Sequence, residues 1–199
     1  NDIILLSATG TGKTLAYLLP VLNLLEKSNP NTQALIIVPT RELALQIEKV
    51  FRSMQTGFKV TCCYGGHLRE TEENNLRQAP TLIIGTPGRL VDHLKRGNIK
   101  TGDITTLVLD EFDKSLEAGF QEEISFITGS LTSIKKRILT SATESLDIPD
   151  FIGLKEHVSL NFLSENLSQS LAIQLVKSDD NDKLKTLFSF ICFVGNRSA

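Results

Sequence analysis

Short apolar runs recur along the chain, separated by stretches in which apolar residues return every three or four positions. The runs are DIILLSA, QALIIVP, KVTCCYG, TLIIGT, TTLVLDE, KRILTSA and HVSLNF. Several are apolar almost throughout, as strands covered on both faces of a parallel sheet must be. Between them, KTLAYLLPVLNLLEK, RELALQIEKVFRSM and RLVDHLKRG carry helical spacing. Alternation of this kind predicts an α/β fold: a doubly wound, mostly parallel sheet with helices on both faces and ligands at the carboxyl ends of the strands. Pro20 falls inside the first helical stretch, where a tolerated bend is expected.

The pattern changes after Phe162. LSENLSQS is polar and has no apolar period, which reads as a linker over residues 164–170. LAIQLVKS, NDKLKTLFSFI and CFVGN then read as strand, helix and strand, the start of a second unit over 171–199. The main domain is therefore expected over 1–163, with its upstream part missing. The chain opens at Asn1 on a core strand without an initiating methionine, as a piece of a longer protein would.

Composition narrows the class without naming a function. With 199 residues, 41% hydrophobic and 22% charged, the chain suits one sizeable core and part of another. A net charge of −2 supplies no basic field, so any polyanion has to be held by local contacts. Cys62, Cys63 and Cys192 lack disulfide or zinc spacing and read as reduced packing residues of a cytoplasmic protein. The adjacent pair, on a predicted strand, points to opposite faces. No apolar run reaches membrane-spanning length and no signal-peptide pattern is present, so no membrane partner is expected. His67, His93 and His157 are scattered and read as surface or packing residues.

The candidate chemistry sits at the strand ends. In LSATGTGKTLAYLL, an apolar strand meets a glycine turn and a helix that starts near Lys13. An ordinary strand–helix turn would use the same glycines. A phosphate cradle would also use the lysine and the threonine: backbone amides wrap the phosphates, Lys13 reaches the terminal ones and Thr14 holds Mg²⁺. Ser7 stands where the strict pattern has its first glycine. Downstream, LVLDEFDK places Asp110 and Glu111 at the end of another apolar strand. These two could cap the next helix together with Asp113 and Glu117, or Asp110 could hold Mg²⁺ while Glu111 polarises a water.

In order, ATGTGKT, PTRELA, the glycine doublet at Gly65, TPGR, DEFD and SAT resemble motifs I, Ia, GG, Ib, II and III of the DEAD-box ATP-dependent RNA helicases, in the first RecA-like domain. CFVGNR resembles motif IV, near the start of the second such domain. The resemblance implies a RecA-like P-loop fold using ATP and Mg²⁺. Thr9, Gly10, Thr11, Gly12, Lys13 and Thr14 would bind ATP, with Thr14 and Asp110 on the metal, partly through water. Lys13, Asp110 and Glu111 would form the catalytic set. Asp113 would hydrogen-bond toward Ser141 and Thr143, with Ala142 between them, coupling nucleotide to RNA. Pro39, Thr40, Arg41, Gly65, Gly66, Thr86, Pro87, Gly88 and Arg89 would grip the RNA backbone without reading its sequence. The implied activity is ATP-driven local opening of RNA duplexes, with the second RecA-like domain of the same chain as partner. An ATP-gated RNA clamp with little turnover and a superfamily-two DNA motor are the rival readings. Phe112 departs from the alanine of the family motif, and the family's adenine-reading glutamine motif has no counterpart from Asn1 onward.

Overall fold

Each of the seven apolar runs becomes a strand of one sheet in the computed structural model, which describes residues 1–66, 68–143, 147–163 and 188. The strands are β1 (Asp2–Leu6), β2 (Ala34–Ile37), β3 (Val60–Cys63), β4 (Leu82–Gly85), β5 (Thr106–Leu109), β6 (Lys136–Ser141) and β7 (His157–Asn161). Their spatial order is β3-β4-β2-β5-β6-β1-β7, and every neighbouring pair is parallel. The expectation of a mostly parallel sheet is met in full.

The helices are α1 (Lys13–Leu24), α2 (Arg41–Ser53), α3 (Arg69–Arg77), α4 (Pro87–Lys95), α5 (Phe112–Glu117) and α6 (Gln121–Ser130). α1 runs through Pro20 to Leu24. α3 escapes the apolar pattern because RETEENNLR buries only Glu72 and Leu76, one helical turn apart.

Successive strand residues feed two cores, as the continuous apolar runs require. Ile36, Val38 and Val108 meet Tyr17, Leu18, Ile47 and Phe51, from α1 and α2. Leu35, Ile37, Leu107 and Leu109 meet Leu90, Phe112, Ile124 and Ile127, from α4, α5 and α6. Cys62 packs toward the first core and Cys63 lies in the second, on opposite faces of β3. Burial raises both thiols well above their ordinary range, so they are poor nucleophiles. Asp2 pins β1 between its neighbours: Oδ1 accepts from Arg137 N at 2.7 Å and Oδ2 from Lys155 N at 3.1 Å.

Among the described residues, no helix is long and apolar enough to cross a membrane. The chain divides into two units, Asn1–Glu165 and Asn166–Ala199. The expected linker, the expected second-domain start apart from Phe188, and Cys192 lie outside the described residues.

Candidate functional site

The loop after β1 is built from main chain. Gly10 and Gly12 take φ of 84° and 91°, a region that side chains disfavour, while Ser7 needs no such conformation. This is why serine is tolerated at the first position of the motif and the two glycines are kept. Ser7 N donates to Ser141 O at 3.0 Å, and Ser7 O accepts from Lys13 Nζ at 2.6 Å. Thr11 Oγ1 donates to Ala8 O at 2.8 Å and lies 2.5 Å from Ser7 Oγ. Thr9 is exposed, and Thr14 sits half-buried in the first turn of α1. α1 carries no side-chain cap and no acidic residue in its first turn. Its opening amides and positive dipole end therefore face the glycine loop uncompensated, which is the electrostatic condition for holding an anion.

Asp110 closes the site from the end of β5. The residue is 3% exposed. Oδ2 accepts from the Tyr17 hydroxyl at 2.9 Å, and Oδ1 accepts from Thr140 Oγ1 and from Glu111 N. Burial raises the Asp110 carboxyl above its ordinary range, with the Thr140 and Tyr17 bonds pulling the other way. Glu111 takes φ 48°, one of two non-glycine residues with positive φ among those described. Backbone held there is strained and persists only where its surroundings over-determine it. Here they do: Glu111 N is shared between Asp110 Oδ1 and Thr140 Oγ1, and Glu111 Oε2 accepts from Lys114 Nζ at 2.9 Å. Phe112 is fully buried in the second core, beneath the strand end.

Asp113 meets the end of β6 at Thr143, as expected, and at Ala142 in place of Ser141. Its Oδ2 accepts from Ala142 N at 3.1 Å and from Thr143 Oγ1 at 3.4 Å. Ser141 Oγ instead turns into its own loop, accepting from Thr143 N at 3.0 Å. Asp113 Oδ1 is buried without a hydrogen-bond partner. β6 lies between β1 and β5, so Thr140 to Thr143 touch both the glycine loop and the acidic pair.

The second expected set gathers at the ends of β2, β3 and β4. Pro39 is buried, whereas Thr40 and Arg41 are exposed. Thr40 caps α2, its Oγ1 accepting from Leu43 N at 3.2 Å. The Arg41 guanidinium lies over the Tyr64 ring, 5.1 Å from its centre. Gly65 and Gly66 are exposed, and a Cβ on Gly66 would lie 3.6 Å from Arg41 Nη1. TPGR opens α4, with Thr86 at the cap position and Pro87 in the first turn. Thr86 N donates to Cys63 O at 3.0 Å, joining this turn to the end of β3. Gly88 is exposed, while the Arg89 side chain is 12% exposed. Arg89 Nε reaches Tyr64 O at 3.1 Å and Glu72 Oε2 at 3.2 Å.

Tyr17, Thr140, Lys114 and Glu72 were not anticipated from the sequence. Tyr17 had a readable signal, since it follows Lys13 by one helical turn and so shares its face. Cys63, Glu72 and His93 come close enough to resemble a metal cluster. Glu72 is already bonded to Tyr64 N, Arg89 and His93, which matches the packing role expected for that histidine.

A family model described as DEAD/DEAH box helicase matches residues 1–151. The chain is 39% identical over 167 residues to the ATP-dependent RNA helicase CshA of Limosilactobacillus reuteri, a match covering 83% of this chain and 32% of that protein. It is 37% identical over 198 residues to the DEAD-box ATP-dependent RNA helicase CshA of Streptococcus pneumoniae, covering 94% and 37% respectively. The chain thus spans about a third of the length of these relatives. The crystal structure of a DEAD box protein from Methanococcus jannaschii matches with a TM-score of 0.72 at 29% identity, over 80% of this chain and 45% of that one. A family match over three quarters of the chain agrees with the glycine loop, the DEFD turn and the SAT strand end found together on one sheet edge, and the chain belongs to the DEAD/DEAH box helicase family.

Proposed function

We propose that this chain is the nucleotide-binding core of an ATP-dependent RNA helicase, coupling ATP binding and hydrolysis to local opening of RNA duplexes. One observation carries the reading: the glycine loop, the acidic pair and the β6 end converge on one sheet edge that continues into the Arg41, Gly66 and Thr86 loops. A nucleotide and a nucleic-acid backbone can therefore be felt by adjoining strands of one sheet, which meet where β2 pairs with β5.

The residues fit the nucleotide chemically. The uncapped start of α1 and the Gly10 and Gly12 turns leave amides for phosphate oxygens, and Lys13 supplies a charge beside them. The buried Asp110 carboxylate, held by neutral hydroxyls, gains from a divalent cation. Magnesium supplies charge neutralisation of the phosphates when bound. Thr14 and Asp110 are its proposed holders, Asp110 partly through water. Glu111 orients and polarises the attacking water once Lys114 releases its carboxylate. Asp113, Ala142 and Thr143 relay the nucleotide state to β6, with Ser141 bracing the turn. Thr9 and Thr11 shape the loop.

On the other half of the edge, Thr40, Arg41, Gly65, Gly66, Thr86, Gly88 and Arg89 form the proposed grip, with Pro39 and Pro87 fixing its turns. Exposed amides, hydroxyls and guanidinium groups hold phosphates without reading bases. Residues 1–163 constitute the first RecA-like domain, 164–170 a linker and 171–199 the opening of a second, whose arginines complete the ATP site in a cytoplasmic protein. Phosphoryl transfer leans on such arginines by roughly 10³–10⁵ in rate. Residues 1–199 alone are thus expected to bind nucleotide weakly and to unwind nothing.

The test is phosphate release and strand separation by the intact protein, with RNA, DNA or neither, at one salt concentration. RNA-stimulated release with opening of a short RNA duplex is expected. RNA binding without turnover would replace the helicase with a clamp, and preferential stimulation by DNA would make it a DNA motor.

A further inference from the structure

Glu72 belongs to none of the motifs, yet its buried carboxylate joins three partners at the β3–β4 end of the sheet. It is 0% exposed. Oε1 accepts from Tyr64 N at 3.1 Å, and Oε2 receives Arg89 Nε at 3.2 Å and His93 Nε2 at 2.8 Å. The Asn98 amide nitrogen lies 3.1 Å from His93 Nδ1, which leaves the ring proton on Nε2 to be donated to Glu72. Arg89 Nε also reaches the Tyr64 carbonyl. Tyr64 in turn carries the Arg41 guanidinium on its ring and precedes the Gly65–Gly66 doublet. One side chain on α3 thereby fastens the loop after β3 to the TPGR helix and, through Tyr64, to α2.

A buried carboxylate is costly unless its lone pairs and its charge are answered, and here both are. An apolar residue in this place would take the carboxylate acceptor from Tyr64 N and the buried countercharge from Arg89. The distances also bear on metal binding: the oxygen nearest His93 already holds two N–H donors, one of them cationic, so Glu72 and His93 form a closed hydrogen-bond hub beside Cys63.

We infer that Glu72 is the positioning residue of the nucleic-acid grip, setting the spacing of Arg41, Gly66 and Arg89 without touching the ligand. This rests on the RNA reading proposed above. Glu72 sits beneath the gripping loops and away from the glycine loop, so its loss acts on RNA and leaves nucleotide binding alone. Supporting residues of this kind commonly shift affinity by about tenfold.

The experiment compares the intact protein with E72Q, which keeps the shape and one acceptor but removes the charge. Fluorescence anisotropy with single-stranded RNA, ATP affinity without RNA, thermal unfolding, and ATPase rate against RNA concentration are measured. E72Q is expected to raise the half-saturating RNA concentration about tenfold, with kcat at saturating RNA and ATP affinity within about twofold of the parent. A second pair holds if E72Q fails to fold: H93Q keeps an N–H donor for Glu72 and retains RNA affinity, whereas H93L lowers it. Unchanged RNA affinity in E72Q and H93L overturns the inference, as does an equal loss of RNA affinity, ATP affinity and melting temperature. A parent protein that ignores RNA overturns the RNA reading itself, and that arm is read without any variant.

Discussion

At the ends of β1, β5 and β6, the buried charged groups lean on neutral partners, Lys13 on a carbonyl and Asp110 on two hydroxyls and an amide, while the half-buried Glu111 pairs with Lys114. At the ends of β2, β3 and β4, charge is answered by charge, Glu72 by Arg89 inside the protein and Arg69 by Asp92 at the surface. The contrast separates two ways of building on one sheet edge. A site whose buried charges rest on neutral groups has electrostatic energy to release when an ionic ligand arrives. A scaffold that has neutralised itself offers shape, and presents amides and a few exposed side chains at fixed spacing.

The sharpest way to break this contrast is at Glu111. Glu111→Gln keeps the shape but removes the carboxylate, so RNA-stimulated phosphate release should fall by about 10²–10⁴ while calorimetric ATP affinity holds. Parent-like turnover would remove Glu111 from the chemistry. Lys13→Ala comes next: with its charge gone, Mg-ATP binding should weaken by about a hundredfold, in line with a lost bond to a charged group. Unchanged affinity in a titration would deny the loop its phosphate role.

Phe112→Ala tests whether the phosphate side depends on the core beneath it. Removing a fully buried ring should cost about 3 kcal/mol of stability, seen as a lower denaturation midpoint, with ATP affinity little changed. The reverse outcome, an intact midpoint with altered affinity, would place the ring in the site. The smallest effect is expected on the self-neutralised side. Arg41→Ala removes one exposed cation, so RNA affinity should drop a few-fold and the slope of log K against log salt should shrink by about one. An unchanged slope would show that Arg41 meets no phosphate.

The same contrast decides what could be read in advance. The strands were legible because several are apolar almost throughout, and the glycine loop because its function needs particular residues within eight positions. α3 was not, since RETEENNLR looks like a solvated stretch. Its buried Glu72 is recognisable only once Tyr64, Arg89 and His93, distant in sequence, have come together. Thr140 was hidden likewise: in KRILTSA it is one more β-former, and only the pairing of β5 with β6 sets its hydroxyl against Asp110. Motifs report chemistry that is local along the chain, and long-range polar partners leave no local period.

The position of β1 has a consequence for how the molecule is made. β1 is first in order among the described strands, yet its hydrogen-bonded neighbours are β6 and β7, with Ile3 opposite Ile138 and Val158. Asp2, which pins its start, bonds the amides of Arg137 and Lys155. A ribosome adding about 5–20 residues per second leaves this strand waiting for on the order of ten seconds before its partners emerge. In that interval an apolar strand must be shielded from other chains, and contacts this remote in sequence slow folding further. The glycine loop hangs from β1 and cannot be set before β1 docks. Nucleotide capture during synthesis would therefore report that the sheet has closed, and added nucleotide would stabilise the finished domain while doing nothing for shorter nascent chains.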